Sequence, residues 1–125
     1  MSETLKWTYQ ASAVGGPTLA GKGELPVDAY LKLNITVPAN GEEQAVELLP
    51  GEGGTLQFLI INPKSPGSQL SYSVGTDSIT LDGPHVLIGS GAISLLAPTV
   101  GTLTFTNNGS EAAEISILAG RDATP

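Results

Sequence analysis

Apolar and polar residues alternate one by one along much of this chain, and Gly, Pro and Asn cut the alternation into short lengths. A period of two belongs to an extended strand, whose successive side chains point to opposite faces; a helix would show a period of 3.6. Leu5, Trp7, Tyr9, Ala11 and Ala13 alternate with Lys6, Thr8, Gln10 and Ser12, up to a turn signal at Gly15-Gly16-Pro17. Ala29, Leu31, Leu33, Ile35 and Val37 alternate with Tyr30, Lys32, Asn34 and Thr36, and Pro38 and Asn40-Gly41 close that strand.

Glu43 to Leu49 is too short for a stable helix and is stopped by Pro50-Gly51, so it reads as a strand. Thr55 to Asn62 is apolar at nearly every position, which fits a central strand covered on both faces. Further short strands are predicted at Gln69–Val74, Ser78–Leu81, His85–Ile88, Ala92–Leu96, Gly101–Asn107 and Glu114–Ala119. No segment of helical length carries apolar residues at helical spacing, which argues against a parallel sheet with helical crossovers. The expectation is an all-β fold: an antiparallel β-sandwich, jelly-roll-like, of about eight or nine short strands. An immunoglobulin-like sandwich is the alternative, because both topologies produce the same rhythm of strands and turns. The 125 residues fit a single domain spanning 1–125.

One internal echo stands out. Gly54-Thr55-Leu56-Gln57-Phe58 is matched by Gly101-Thr102-Leu103-Thr104-Phe105, each followed by an Asn-containing turn and a second strand. It reads as two similar hairpins, one in each half of the sandwich. Asn108-Gly109 is the predicted hairpin turn of the second, since both residues tolerate positive φ.

Composition narrows the function. The net charge is −7, and the five basic residues Lys6, Lys22, Lys32, Lys64 and Arg121 form no cluster. Nucleic acid and anionic lipid would both be repelled, so neither is an expected partner. The longest apolar run, Phe58 to Ile61, is far too short to span a membrane. Met1–Thr4 carries no basic stretch leading into an apolar run, so the expectation is a soluble protein without a signal peptide, cytoplasmic or part of a virion. Cysteine is absent, which removes disulfides and thiolate metal sites from consideration. Charged residues are only 14% of the chain, so Ser, Thr, Gly and Asn fill the polar positions and few charges oppose contact between copies.

The search for chemistry finds little. The lone histidine, His85, would have to serve as base for Ser90 in Gly89-Ser90-Gly91, with Asp77 or Asp82 as its orienter. The G-x-S-x-G spacing is missing. Glu42, Glu43 and Glu47 form the densest acidic group and read as a solvated edge that discourages strand addition. Gly51-Glu52-Gly53-Gly54 is glycine-rich but has no following Lys-Ser/Thr and reads as a turn. No catalytic residues, metal site or cofactor are expected.

A non-enzymatic, self-assembling structural protein accounts best for these features. Examples are a phage or virus-like particle subunit, or a capsid decoration protein. The expected partner is a second copy, in a homo-oligomer built as a trimer or a larger assembly. A carbohydrate- or protein-binding module is the alternative, and an enzyme on a β scaffold comes third. The residues expected at subunit or ligand contacts are Trp7, Tyr9, Tyr30, Gln44, Val46 and Leu48. Trp7 and Tyr9 share a strand face, Tyr30 is out of phase with the apolar set of its own strand, and the Gln44–Leu49 strand offers an edge.

Overall fold

A computed structural model describes residues 3–48, 55–64, 69–74, 76–96 and 102–122. Among them are ten strands and one short helical turn. The strands are β1 (Glu3–Ser12), β2 (Thr18–Val27), β3 (Ala29–Val37), β4 (Glu42–Glu47), β5 (Thr55–Pro63), β6 (Leu70–Val74), β7 (Asp77–Thr80), β8 (His85–Ile88), β9 (Thr102–Asn107) and β10 (Ala113–Asp122). The helical turn, α1, is Ser90–Ile93. The all-β antiparallel sandwich expected from the alternation is what the chain forms.

Eight strands make two four-stranded sheets. Sheet I has the order β3-β10-β5-β8 and sheet II the order β4-β9-β6-β7, with every pairing antiparallel. The pairs are nested: β3 with β10, β4 with β9, β5 with β8, and β6 with β7. Period-two alternation turns one side of each strand inward. Leu59, Ile61, Ile115, Ile117 and Ala119 of sheet I meet Val46, Leu70, Tyr72, Val74, Leu103 and Phe105 of sheet II in one core, all buried.

Asn107 is the one buried polar residue among those described, and its side chain is fully engaged. Its Nδ2 donates to the carbonyls of Val37 (3.1 Å) and Glu111 (2.7 Å), and its Oδ1 accepts from the Gly109 N–H (2.9 Å). The backbone carbonyl of Asn107 accepts from Gly41 N–H, and Asn108 N–H donates to Gln69. The Asn107 amide thereby ties the β3–β4 connection to the β9–β10 connection at one end of the sandwich, and the Asn108 N–H adds the β5–β6 connection.

Three expectations are corrected. Ala92–Leu96 is not a strand; α1 and the turn after it occupy that stretch. The two echoed segments are not hairpins, because β5 and β6 lie in different sheets, as do β9 and β10. Asn108-Gly109 is therefore not a hairpin turn, and positive φ falls instead on Asn40 (67°) and Gly41 (85°) where β3 leaves for the other sheet. The Gly51–Gly54 turn lies outside the described residues.

The third sheet is the hairpin β1-β2, which the sequence reading did not contain as a pair: Thr18–Val27 was not expected to be a strand. Its base is seated on the outer face of sheet I. Asp28 N–H donates to the Arg121 carbonyl at 2.8 Å. A Cβ at position 120 would come within 2.5 Å of Leu5 Cδ1, 3.1 Å of Val27 Cγ1 and 3.4 Å of Phe58 Cβ, so only glycine lets the hairpin sit this close. Phe58 points to the outside of sheet I, yet is 2% exposed because the hairpin base covers it.

Candidate assembly interface

Beyond its base the hairpin is an arm. Every residue from Thr8 to Ala20 is exposed. The register pairs Trp7 with Gly23 and Tyr9 with Gly21. The two rings stack on each other, 5.8 Å apart and 10° from parallel, and lie across the opposite strand. A Cβ on Gly21 would stand 2.5 Å from the Tyr9 hydroxyl, and one on Gly23 would stand 2.5 Å from Trp7 Cζ2. The glycines are the floor on which the aromatic rings rest.

This register gives the arm two unlike faces. Leu5, Trp7, Tyr9, Ala11, Leu19, Gly21, Gly23 and Leu25 share one; Lys6, Thr8, Gln10, Thr18, Ala20, Lys22 and Glu24 share the other. Much of the apolar face is in solvent: Tyr9 is 46% exposed, Leu19 68%, and Val14 at the tip is fully exposed. An isolated two-stranded hairpin is only marginally stable in water, so the seat of its base on sheet I helps to hold this one.

The other residues expected at contacts divide. Tyr30, on edge strand β3, is 56% exposed and lines up across the outer face of sheet I with Gly120, Phe58 and Ile88. Gln44 is exposed on edge strand β4. Val46 and Leu48 are corrected: at 5% and 1% exposure they belong to the core and offer no surface to a partner. The strand alternates as expected, but its apolar side faces sheet I.

His85 is also settled geometrically. Its ring faces inward from β8, and its Nδ1 is 2.7 Å from the Tyr72 hydroxyl of β6, with the rings edge to face. The position a triad would need is thus taken by a tyrosine. Burial pushes the Tyr72 hydroxyl pKa up to about 12, so it stays protonated at neutral pH.

Elsewhere, Asn34, Ser116 and Asn62 form a polar row across sheet I, with Ser116 donating to Asn34 Oδ1 at 2.8 Å. Beside them Lys64 pairs with Glu114 at 3.1 Å, and the group lines a shallow depression of about 430 Å³. Among the described residues no group of His, Asp and Glu could hold a metal ion, and no helix is long and apolar enough to cross a membrane. No family model matches the chain, and no curated protein or solved structure is detectably similar to it.

Proposed function

We propose that this protein is a non-enzymatic structural subunit that assembles with copies of itself, its two sheets wound as a jelly roll. The nested pairing of eight strands supports the jelly-roll reading, since a long hairpin rolled up on itself yields that strand order. The observation that carries the assembly reading is the arm, whose apolar face is left exposed by the described residues past the seat at Gly120. Folding alone gives no reason to keep a long hairpin with Tyr9, Val14 and Leu19 in water. A particle subunit or a capsid decoration protein has a use for it. Sedimentation velocity over a range of micromolar concentrations tests this: association into trimers or larger species is expected, and a monomer throughout would remove the proposal.

A glycan-binding role is the second reading. It rests on the Asn34, Ser116 and Asn62 row, an array of hydrogen-bonding groups on a rigid sheet beside half-buried Ile60 and Leu118. A glycan array separates the two, because a purely structural subunit gives no hit.

A further inference from the structure

Among the described residues the sandwich has four edge strands: β3, β8, β4 and β7. Strands β7 and β8 are four residues each and offer little length for another strand. Strands β3 and β4 close the same flank, one from each sheet, and touch across it. The floor of that flank is apolar. Leu33 and Ile35 of β3 pack on the core yet remain partly exposed, and Gln44 is exposed although it sits on the inward side of β4, opposite buried Phe105. The outward side of β4 carries Glu43 and Glu47, both exposed, beside Thr106 and Thr102.

The arm carries the complementary pattern. Its polar face carries Lys6 and Lys22, with Glu24 across from Lys6 and 4.0 Å from its ammonium, so that face keeps a net positive charge. Both lysines are on the polar face, opposite Trp7 and Tyr9. If a strand of the arm is laid along the free edge of β4 with its aromatic face toward Leu33 and Ile35, its lysines come to the same side as Glu43 and Glu47. Apolar side and charged side then match in one alignment. The base of the chain's own arm is seated on the outer face of sheet I, over Gly120.

We infer that the arm of one copy adds as a strand to the β4 edge of a second copy, with Lys6 and Lys22 against Glu43 and Glu47 and with Trp7 and Tyr9 closing the flank over Leu33 and Ile35. This rests on the self-assembly reading and names its contact. Backbone hydrogen bonds supply the adhesion, as in strand addition generally, and charge supplies the choice. A second β4 would bring glutamate against glutamate, and the β3 edge carries Lys32, so both are disfavoured sites for the arm or the edge. Glutamates that guard an edge against most strands admit a lysine-bearing one.

Reciprocal charge reversal tests the contact by sedimentation velocity. Wild type associates. Lys6→Glu with Lys22→Glu weakens association at least about tenfold, as does Glu43→Lys with Glu47→Lys, and an equimolar mixture of the two variants restores it. All four positions are exposed, so the thermal melt of each monomer stays close to wild type. Should a reversed variant lose its fold, the neutral pair Lys6→Gln with Lys22→Gln takes its place and weakens association by a smaller factor. Reversal without effect, or a mixture that fails to associate, overturns the arm-to-β4 contact while leaving self-assembly standing. A wild type that is monomeric at every concentration overturns both.

Discussion

The Tyr72 hydroxyl and Nδ1 of His85 share a 2.7 Å hydrogen bond, and that bond joins the two sheets through the core, from β6 in sheet II to β8 in sheet I. Tyr72 is fully buried, and burial alone accounts for its raised pKa.

The pair predicts how stability responds to alkali. The folded-state pKa of Tyr72, about 12, lies above the ordinary value of 10.0, so the folded chain holds this proton more tightly than the unfolded chain. The stabilisation is complete below pH 10 and is lost as pH rises through about 12. Tyr72→Phe costs about 1 kcal/mol near neutrality by removing the hydrogen bond. Urea unfolding of both proteins from pH 8 upward should show the gap closing above pH 10 and the variant becoming the more stable; a constant gap would contradict the raised pKa.

Asn107→Ala removes three hydrogen bonds at once and leaves the Val37 and Glu111 carbonyls without the donor that reaches them. The expected loss is about 2–4 kcal/mol. Urea denaturation measures it, and a loss below about 1 kcal/mol would mean that water replaces the amide readily.

Gly23→Val places a side chain where Trp7 now lies, so the ring must leave its strand. Trp7 is the sole tryptophan in the chain, and its fluorescence reports on the arm alone. Emission should move to longer wavelength and acrylamide quenching should rise. The sandwich should change by no more than about 0.5 kcal/mol, since the substituted residue touches none of its core.

Removing the arm through Val27 uncovers Phe58. The sandwich should lose about 1.5–3 kcal/mol from that ring, plus the contribution of the Leu5 and Val27 contacts. A fall in the urea midpoint together with new binding of a hydrophobic dye checks it; an unchanged midpoint would show that the arm base does not shield the sheet.

Much of the sandwich was legible because alternation is a local property. Strand β3 shows its inward residues as every second apolar side chain, and the structure keeps that phase. The all-apolar run of β5 announced a strand covered on both sides, and the second cover proves to be the arm on Phe58. Strand β2 was not legible. Its Gly21, Gly23 and Pro26 read as loop, and it is a strand because aromatic rings from β1 supply the cover that its own glycines lack. Ala92–Leu96 failed for the opposite reason: Ile93, Leu95 and Leu96 have strand-like composition, and a single helical turn is too short to show its period. For the candidate site, the alternation puts Trp7 and Tyr9 on one face, and their rings do stack there. Val46 and Leu48 were misplaced because one strand's alternation does not say which side is the inside.

The nesting of the strand pairs sets an order of events in time. Strands β6 and β7 are chain neighbours and close a short loop, whereas β3 waits for β10, so that Ile35 meets Ile115 only after every strand between them exists. Zipping from the middle outward is the economical route, and distant partners make it slow. On the ribosome, β3 stays unmated until β10 has emerged.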